Sequence, residues 1–565
     1  MLKHQFRTLG DALVAAPPHR PFISMWEDDD EVRTVSFGEF AQLARVQAEH
    51  LKACGLGAQN CVVLVMPQGI PLLAAFAGAM LLGAVPAVLA YPNFKTDPAK
   101  YSSGLAGVLA NLKSSLVVVN DESTEAMLKH HLPNRTMRIV RDAPLSEEPL
   151  SWPETGFNPE QIAFIQHSAG TTGLQKGVAL SHAAVLTQLD HLVGALSLTE
   201  DDRIYSWLPL YHDMGLIACF VVPLVQHLHV VMQSPTSWVA RPGTMMRLIA
   251  EWRCTVAWVP NFALQFLARR VRSEERLGFD LGSLRAVINC SEPVRAESID
   301  EFVSAYGGSG LKPDVVKTSY AMAENVFAVT QSDVNGCPRR LQVDRQQLLR
   351  DGIAVHVPPD ARGSVCLVSS GRCLPGQRVR IARANGTDCE DGEVGEIAIQ
   401  TDCLFDGYYG RPDLTAQVLR DGWYYTGDLG LLVDGELYVT GRSKDLIIVA
   451  GKNIYPQDVE HIVCQHPAIH DGRAVAFGLA NPDLGTEDII VVAEVSDEGE
   501  LIHSADIERA LRDAIVAELD IAVRSIYLKP PRWIVKSTAG KAARSTTRRK
   551  LLNEQAELGR YEHIS

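Results

Sequence analysis

The sequence predicts an α/β protein with a large N-terminal domain of parallel sheets covered by helices, a β-rich subdomain and a small C-terminal α+β domain. Short β-branched runs alternate with longer amphipathic stretches over most of the first 320 residues. From about Gly363, short strands and turns replace this alternation. A chain of 565 residues also exceeds the roughly 100–200 residues of one usual domain, so at least two domains are expected.

The predicted elements follow this change from alternating strands and helices to short strands and turns. Helical stretches such as "SHAAVLTQLDHLVGALS" separate the N-terminal strands, which are predicted at 61–66, 115–120, 163–166, 230–233, 256–260, 285–290 and 314–320. Strands of the β-rich subdomain, about 363–441, are predicted at "SVCLVSSG", "QRVRIA", "GEVGEIAIQ" and "GELYVTG". We predict domains at 1–441 and 442–565, with a hinge near Lys444.

One uncharged stretch is long enough to span a bilayer. No formal charge occurs between Lys52 and Lys95, and this segment contains "IPLLAAFAGAMLLGAVPAVLA". Pro71 and Pro86 bracket this stretch, and the strand-like "CVVLVMP" precedes it. A strand, a helix and a second strand with apolar residues all round indicate a buried βαβ unit, so we predict no membrane span.

Composition limits the classes of function. A net charge of −14 argues against a nucleic-acid-binding protein, because phosphate backbones are bound by clustered Lys and Arg. The stretch 529–550 is a local exception, with eight Lys or Arg and no acid. Eleven scattered cysteines without a CxxC pair or a His/Cys ligand spacing predict neither a zinc nor a disulfide framework. Because the N-terminus also lacks the apolar core of a signal peptide, we predict a cytoplasmic protein.

The stretch "HSAGTTGLQKGVALSH" (167–182) is the first candidate site. It follows an apolar run and leads into a helix-like segment, and a strand, a flexible hydroxyl-rich loop and a helix together are suited to wrap an anion. The expected phosphate ligands are the backbone, the hydroxyl groups and one lysine of this loop: Ser168, Gly170, Thr171, Thr172, Gly173 and Lys176. The spacing is not that of a P-loop, and a plain glycine-rich turn is the alternative.

Four later motifs add groups suited to a nucleotide. "SYAMAEN" places Tyr320 and Glu324 just after a strand, where a ring can stack on a base and a carboxylate can hold Mg2+. "YYTGDLG" provides Asp428 for ribose hydroxyls, "GRSKD" provides Arg442 and "STAGKAARS" provides a second loop lysine, Lys541. Taken singly, each residue could instead be a packed core residue, a turn former or a solvated surface charge.

The five motifs in this order resemble the adenylate-forming superfamily of acyl-CoA synthetases, peptide-synthetase adenylation domains and luciferases. The resemblance covers nearly the whole chain and implies a mobile C-terminal domain that helps form an acyl-adenylate from a carboxylic acid, ATP and Mg2+. It places adenine between Tyr320 and the backbone near Glu292, ribose at Asp428 and Arg442, and Lys541 at the reacting carboxylate. Further nucleotide contacts are expected at Ser291, Pro293, Ala321 and Met322, and metal contacts at Glu324 and Thr171.

Other stretches resemble fatty acyl-AMP ligases more than CoA ligases, among them "SWLPLYHDMGLI", "TSWVARP" and "VPNFALQFLARRV". These stretches are expected to wall a hydrophobic acyl site with Trp207, His212, Met214, Trp238, Asn261 and Phe262, and with Trp258 nearby. His212 is also a candidate to orient the carboxylate, with a histidine at a helix start as the alternative. The segment 331–370 is longer than a CoA ligase needs, and in the ligase branch an insertion here is thought to restrain domain rotation.

Three residues depart from the superfamily pattern, namely His167, Ala321 and Ser291. They leave the lysines, the acids and Arg442 in place, so an active enzyme is still expected. We find no "GxDS"-type serine for a phosphopantetheine arm, so the acyl acceptor is separate: a stand-alone acyl or peptidyl carrier protein, CoA or a small nucleophile. The alternatives are an acyl-CoA synthetase, an enzyme that adenylates a non-carboxylate substrate and a non-catalytic nucleotide-binding scaffold.

Overall fold

The computed structural model describes residues 5–27, 30–92, 97–132, 138–143, 157–167, 176–449, 452–481, 486–536 and 542–557. The helices of this part of the chain are α1 Leu9–Val14, α2 Phe37–Ala53, α3 Ile70–Leu81, α4 Pro98–Leu112, α5 Glu122–His131, α6 His182–Leu196, α7 Val222–Gln226, α8 Pro235–Ala240, α9 Gly243–Trp252, α10 Asn261–Arg270, α11 Ser273–Arg276, α12 Ala296–Tyr306, α13 Arg345–Asp351, α14 Pro412–Val418, α15 Pro456–Cys464, α16 Ser504–Leu519 and α17 Arg544–Glu557. A π-helix spans Met214–Val221, and 3-10 turns span Gly307–Ser309, Ala323–Asn325, Ser443–Asp445 and Glu498–His503.

The strands of the same part of the chain are β1 Pro21–Trp26, β2 Val32–Ser36, β3 Cys61–Val65, β4 Val85–Val88, β5 Leu116–Val119, β6 Arg138–Arg141, β7 Ile162–His167, β8 Gly177–Ser181, β9 Arg203–Ser206, β10 His229–Met232, β11 Val256–Val259, β12 Ala286–Asn289, β13 Val316–Ala321, β14 Ala328–Gln331, β15 Arg340–Asp344, β16 Ser364–Val368, β17 Arg372–Cys373, β18 Gln377–Ala382, β19 Gly395–Thr401, β20 Gly407–Tyr408, β21 Leu419–Arg420, β22 Trp423–Val433, β23 Glu436–Arg442, β24 Ile447–Val449, β25 Lys452–Ile454, β26 Ile469–Asn481, β27 Thr486–Val495 and β28 Ser525–Lys529. Each of the seven predicted N-terminal strands is present, with ends shifted by one or two residues.

Two large, mainly parallel sheets form the body of the protein. The nine-stranded sheet has the order β17-β14-β13-β12-β11-β9-β10-β1-β2, and the seven-stranded sheet has the order β20-β8-β7-β4-β3-β5-β6. Antiparallel strands lie only at the ends of these two sheets: β17, β14 and β2 in the first, β20 and β8 in the second. The predicted α/β class is therefore confirmed.

Aromatic side chains join the two large sheets into one core. Phe22 of β1 contacts Phe40 of α2 with ring centroids 5.0 Å apart, and Phe40 lies 6.0 Å from Phe220 of the π-helix. Phe220 in turn contacts Phe76 of α3 at 6.0 Å, and Phe76 contacts Phe164 of β7 at 5.6 Å. All five rings are buried, so this chain of contacts fixes one sheet against the other through the helices between them.

The uncharged stretch between Lys52 and Lys95 folds as the predicted βαβ unit. Strands β3 and β4 pair in parallel, with Cys61 opposite Val85, and α3 between them buries eleven of its twelve residues. Among the described residues, no helix combines the length and the apolar character needed to cross a bilayer.

One local prediction at the glycine-rich loop was wrong. The loop connects two strands rather than a strand and a helix, because β8 pairs antiparallel with β7, with His167 opposite Gly177. Residues 177–181 directly follow the loop, and all five are buried in the sheet as β8. Helix α6 begins only at His182, where the Ser181 side chain accepts from the backbone N–H of Ala184. The loop therefore connects two antiparallel strands.

The β-rich segment and the C-terminal segment follow the body. Strands β18, β19, β22 and β21 form one sheet with β23 added to β22, and β26-β27-β28 form a three-stranded sheet near the C-terminus. The C-terminal segment has its own apolar clusters, one of which also contains Leu349 of α13. Salt bridges link this segment to the body: Arg295 to Asp458 at 2.8 Å and Arg269 to Asp471 at 3.1 Å. The domain boundary at 441/442 stays a prediction.

Buried neutral histidines make stability depend on pH. Burial lowers the pKa of His182 from 6.5 to about 4, and its Nδ1 accepts the backbone N–H of Leu9 at 3.3 Å. Between these two pH values the unfolded chain binds a proton that the folded protein does not, so acid favours unfolding by up to about 1.4 kcal/mol per pH unit for this group. Stability is thus full above about pH 6.5 and falls toward about pH 4.

We expect His182→Asn to flatten this dependence. The variant is less stable at neutral pH, but it loses less free energy of unfolding than the wild type when the pH is lowered from neutral to 5. Urea unfolding at a series of pH values gives the free energy of unfolding of the wild type and the variant, and hence the slope of each with pH. The same change at exposed His130 leaves the wild-type slope, and equal slopes in all three proteins would show that His182 is not the titrating group.

Candidate active site

Asp428, on β22 of the β-rich sheet, lies at the centre of a polar cluster where this sheet meets β13 of the body. The hydroxyl of Tyr320, near the end of β13, donates to Asp428 Oδ2 at 2.7 Å. Arg442 is the cross-strand neighbour of Asp428, and its Nε donates to Oδ1 at 3.2 Å. Each carboxylate oxygen therefore has one protein donor and keeps a further lone pair for a ligand.

The charges of this cluster are fixed by its surroundings. Burial, together with the Asp428 carboxylate, raises the pKa of Tyr320 well above its usual value, so the phenol stays protonated and donates. The Asp428 carboxylate also raises the pKa of Arg442. The cluster thus presents a carboxylate held in place by a neutral phenol and a guanidinium.

Glu324 lies on a strained turn directly after β13. Val326 is buried with φ 62° and ψ −54°, and the N–H of Phe327 bonds the carbonyl of Asn325 at 2.6 Å. These values describe a γ-turn of the rare strained form, which costs about 1–3 kcal/mol for a residue with a side chain. The segment 405–408 supports this turn: Phe405 donates its N–H to the Glu324 carbonyl at 2.9 Å.

Tyr408 joins Glu324 to Lys176. Its hydroxyl donates to Glu324 Oε1 at 2.7 Å, and the Nζ of Lys176 lies 4.4 Å from the centroid of its ring. Burial and the Glu324 carboxylate raise the pKa of Tyr408, so it remains a donor. Tyr408 therefore contacts both Lys176, at the end of the glycine-rich loop, and Glu324, which follows β13.

Sequence reasoning missed Tyr408 and its neighbour Tyr424, whose hydroxyls are 3.4 Å apart. The signal available was "FDGYYG" (405–410), a glycine between aromatic residues, which is typical of many surface turns. In the structure, β20 pairs with β8 and sets Tyr408 opposite Val178. Only this pairing brings the ring to the end of the glycine-rich loop.

Six of the predicted site residues lie outside the described residues: Ser168, Gly170, Thr171, Thr172, Gly173 and Lys541. The chain on either side of Lys541 is described. Lys536 and Ala542 form an antiparallel bridge, and the N–H of Ala543 bonds the carbonyl of Val535 at 2.8 Å. Buried Glu494 accepts the N–H of Ile534 at 2.6 Å, which fixes the start of this segment on β27.

The predicted acyl-site residues include a stacked aromatic pair. The rings of Trp207 and Trp238 lie 3.7 Å apart and 2° from parallel, and Phe262 meets both edge-on at 6.3 and 6.1 Å. Phe262 is 43% exposed, whereas both tryptophans are buried. The indole N–H groups of Trp207, Trp238 and Trp258 have no hydrogen-bond partner among the described residues. This arrangement forms an apolar wall that is open at Phe262.

Asn261 and Glu292 join α10 to the segment after β12. Asn261 Oδ1 accepts from Asn289 Nδ2 at 2.9 Å and from the N–H of Arg295 at 3.1 Å. Glu292 Oε2 accepts the N–H of Phe262 at 3.0 Å. Ser291 has φ 69°, in the left-handed region, so the chain turns sharply before exposed Pro293. Acyl-site and nucleotide-site candidates thus share one hydrogen-bonded unit.

His212 and Met214 lie at the start of the π-helix. The Nδ1 of His212 is 3.5 Å from Asp213 Oδ1, and Asp213 caps the N–H of Met214 at 2.8 Å. Buried Met214 contacts Cys290, with the two sulfur atoms 3.1 Å apart. π-helices are rare and are frequently found at functional sites, which makes this segment a candidate part of the site.

The remaining two candidates, Ala321 and Met322, are half-buried between Tyr320 and Glu324. Met322 donates its N–H to the carbonyl of Phe327 at 2.8 Å, which closes the base of the strained turn. The structure therefore brings Tyr320, Glu324, Asp428, Arg442 and Lys176 to one region between the body and the β-rich sheet. Anionic and cationic groups with an aromatic ring at one site suit a nucleotide and its phosphates.

The family model described as AMP-binding enzyme matches residues 11–409. The chain belongs to the AMP-binding enzyme family. It is 30% identical to the medium-chain-fatty-acid–[acyl-carrier-protein] ligase JamA of Moorena producens, over 98% of this chain and 96% of that protein. It is 29% identical to the long-chain-fatty-acid–AMP ligase FadD32 of Mycolicibacterium smegmatis, over 94% of this chain and 91% of that protein.

Solved structures agree with this membership of the AMP-binding enzyme family. A structure from a study of fatty acyl-adenylate ligases of E. coli and L. pneumophila superimposes with a TM-score of 0.88. It is 29% identical and covers 98% of this chain and 99% of its own. A fatty acyl-adenylate ligase from L. pneumophila in complex with acyl adenylate and pyrophosphate gives a TM-score of 0.73 at 27% identity, with 97% of each chain covered. The resemblance to adenylate-forming enzymes is thus confirmed.

Proposed function

We propose that this enzyme uses ATP to activate a fatty or other hydrophobic carboxylic acid to an acyl-adenylate, releases pyrophosphate and passes the acyl group to a separate acyl carrier protein. The observation that carries the proposal is the Asp428 carboxylate, which accepts hydrogen bonds from both Tyr320 and Arg442. Glu324, Tyr408 and Lys176 form the adjoining cluster. This combination provides a ribose acceptor, a metal ligand and a phosphate cation in a chain that matches fatty acid ligases over more than 90% of its residues.

The phosphates of ATP are assigned to the hairpin loop between β7 and β8. Lys176 leaves this loop directly before β8, and its contact with the Tyr408 ring limits where its ammonium group can lie. Backbone and hydroxyl donors of the loop would surround the phosphate oxygens: Ser168, Gly170, Thr171, Thr172 and Gly173. A hairpin turn can supply such donors without a helix N-terminus, since successive backbone N–H groups form an anion-binding concavity.

The residues near Glu324 fit Mg2+. A carboxylate is the ligand type that Mg2+ prefers, and Glu324 keeps one oxygen beyond the one that accepts from Tyr408. Thr171 is the second candidate ligand. When bound, the ion would neutralise charge on the triphosphate.

Adenosine is assigned to the cluster around Asp428. Tyr320, Ala321 and Met322 would contact adenine from one side, and Ser291, Glu292 and Pro293 from the other. Asp428 would accept from the ribose hydroxyls while Tyr320 and Arg442 hold its carboxylate in place. Because both donors come from packed strands, the carboxylate is oriented before the nucleotide binds.

Lys541 is assigned to the reacting carboxylate and the α-phosphate, where negative charge develops as the acid attacks phosphorus. We propose that residues 442–565 move as a domain about a hinge near Lys444 and bring Lys541 to the site. A lysine on a moving domain can be withdrawn after adenylation, which leaves room for the acceptor.

The acid is assigned to the apolar wall formed by Trp207, Trp238 and Phe262, with Met214 and Asn261 beside it and His212 near the carboxylate. The stacked indoles and the exposed edge of Phe262 suit a hydrophobic chain. All eleven cysteines lie in the described part of the chain and none forms a disulfide, which fits a reducing compartment, so we propose that the enzyme acts in the cytoplasm.

A carrier protein is the proposed acceptor rather than CoA because α13 packs against the C-terminal segment. Leu349 joins the apolar cluster of that segment, and Arg345 Nη1 lies 3.0 Å from Glu518 Oε2. These contacts lie within the long segment 331–370 and would oppose rotation of the C-terminal domain. Part of the basic stretch 529–550 is already paired, since Arg544 bonds Asp445 and Glu460, and exposed Arg548 and Arg549 are left for an acidic carrier.

Two assays test the proposed function. Pyrophosphate release is measured with Mg2+, ATP and a panel of acids that differ in length and polarity, and release dependent on a hydrophobic acid is expected. The best acid is then supplied with a phosphopantetheinylated carrier protein or with CoA, and the thioester is identified by mass spectrometry. Release with no carboxylic acid in the panel would overturn the proposal, and an acyl-CoA product alone would favour the acyl-CoA synthetase.

We expect Leu349→Ala to permit acyl-CoA formation while acid-dependent pyrophosphate release is kept. Truncation of a buried leucine removes about 2–5 kcal/mol of packing free energy. Because ~1.4 kcal/mol changes an equilibrium constant tenfold, this loss is large enough to shift the C-terminal segment away from its packed position on α13. Leu348→Ala is the matched control, because this neighbour packs into the cluster of Val343, Leu431 and Tyr438 on the body side. Acyl-CoA is quantified by mass spectrometry, and equal traces in both variants would contradict the restraint.

A further inference from the structure

His191, Asp402 and Cys403 form a compact cluster apart from the polar groups assigned to ATP. His191 lies on α6, and Asp402 and Cys403 directly follow β19. One potential ligand atom from each residue lies within 4.8 Å of the other two. The cluster therefore joins two segments far apart in the sequence, and no motif spacing indicates it.

The three side chains of the cluster range from fully buried to half exposed. Cys403 is fully buried, His191 is 7% exposed and the Asp402 side chain is 52% exposed. The Nε2 of His191 lies 3.8 Å from Asp402 Oδ2, too long for a hydrogen bond, and its Nδ1 has no hydrogen-bond partner among the described residues. A buried ring nitrogen without a hydrogen-bond partner is costly, which is a reason to expect a ligand at this imidazole.

Gly376 keeps the cluster open. Its φ of 70° is in the left-handed region, and a Cβ at this position would lie 2.5 Å from Asp402 Oδ2 and 2.8 Å from His191 Cε1. Any larger residue would fill the space between the imidazole and the carboxylate. The local backbone therefore leaves room for an ion between these side chains.

Two polar groups that contact the sulfur of Cys403 can donate to a thiolate. The hydroxyl of Thr401 lies 3.0 Å from Sγ, and the amide Nε2 of Gln377 donates to Sγ at 3.7 Å. The Thr401 oxygen already accepts the N–H of Cys403 at 3.1 Å, so its hydroxyl proton is free to point at the sulfur. Such outer partners orient metal ligands and tune their basicity.

We propose that His191, Asp402 and Cys403 bind one divalent transition-metal ion of the zinc class, with water as the fourth ligand. One imidazole nitrogen, one thiolate and one carboxylate oxygen form a donor set that Zn2+ accepts in tetrahedral geometry. The thiol proton leaves to solvent as the metal–sulfur bond forms. Tetrahedral bonds of about 2.0–2.3 Å hold ligand atoms roughly 3.3–3.8 Å apart, so the side chains close by about 1 Å.

The ion would act as a structural link behind the Glu324 turn. Asn325 donates through Nδ2 to Gln188 Oε1 at 3.2 Å, and Gln188 lies one helical turn before His191 on α6. The Cys403 thiol donates to Asn325 Oδ1 at 3.6 Å, and this bond is lost when the thiol proton leaves. A metal would replace this bond by tying α6 directly to residues 402–403, beside the Gln188–Asn325 contact that holds the turn.

Titration of the full-length, metal-stripped and reduced protein with Co2+ tests this site. Excess Mg2+ is present to occupy sites made of oxygen ligands. One equivalent of Co2+ is expected to give visible bands of four-coordinate cobalt and a near-ultraviolet thiolate-to-metal band, with Zn2+ displacing the ion. The thiolate band is lost in Cys403→Ser and kept in the matched variant of exposed Cys373, Cys373→Ser.

Asp402→Asn provides a second measurement at a half-exposed residue, where misfolding is not expected. It keeps the thiolate band but weakens Co2+ and Zn2+ binding by at least about tenfold. Absence of stoichiometric binding in the wild type, an unchanged band in Cys403→Ser or unchanged affinity in Asp402→Asn would each overturn the proposal. None of these readouts depends on adenylation, so the site and the proposed function can fail separately.

Discussion

Lys541→Ala is expected to lower acid-dependent exchange between ATP and pyrophosphate by about 10²–10³-fold, since that is the usual loss when one donor to developing charge is removed. The lysine is assigned to the carboxylate and α-phosphate oxygens, whose charge changes as the acid attacks phosphorus. ATP binding is expected to stay close to the wild-type level, because Lys176, Asp428 and Glu324 are unchanged. Exchange of labelled pyrophosphate measures the rate, and equilibrium titration measures the nucleotide affinity.

Arg549→Ala is the matched control for Lys541→Ala. Arg549 is exposed on α17 of the same segment, so its removal takes away one positive charge without touching the bridge between Lys536 and Ala542. Exchange in this control is expected to remain within about twofold of the wild type, since exposed charges interact weakly. Wild-type exchange in Lys541→Ala, or an equal loss in both variants, would remove Lys541 from the reaction.

Glu324→Gln is expected to show the second-largest effect, with pyrophosphate release that needs at least about tenfold more Mg2+. The amide oxygen of glutamine can still accept from Tyr408, so the turn keeps its hydrogen bond while the site loses a negative charge. Loss of even an outer partner of a metal site costs about 10–100-fold in affinity or activity, and a direct ligand should cost no less. Pyrophosphate release is measured over a range of Mg2+ concentrations at saturating ATP.

Tyr408→Phe separates the charge of Glu324 from its hydrogen bond. This variant keeps the carboxylate and its place after β13 but loses the 2.7 Å bond, so a change of about tenfold or less is expected. If Tyr408→Phe shifted the Mg2+ dependence more than Glu324→Gln, the turn geometry rather than the carboxylate would control the site. An unchanged Mg2+ dependence in Glu324→Gln would remove it as the metal ligand.

Local sequence determined the strands and helices and the order of the motifs. Apolar runs such as those at 61–66 and 256–260 could be assigned because strands buried on both faces in parallel sheets are apolar throughout. The same reasoning predicted a strand, a loop and then a helix at 162–182, since the short run 177–181 next to a helical stretch carries no period of its own. These residues form a strand because they pair with β7, and strand pairing is a property of the folded sheet.

The sequence by itself therefore determined the fold class, the family and most of the residue types assigned to ATP. Only the tertiary structure decided that Tyr408 lies between Lys176 and Glu324, that Leu349 packs on the C-terminal segment, and that His191 meets Cys403. The physical reason is that residue periodicity reports the local backbone and its burial. Contacts between distant segments depend on strand order and on how the sheets pack, which no local pattern encodes.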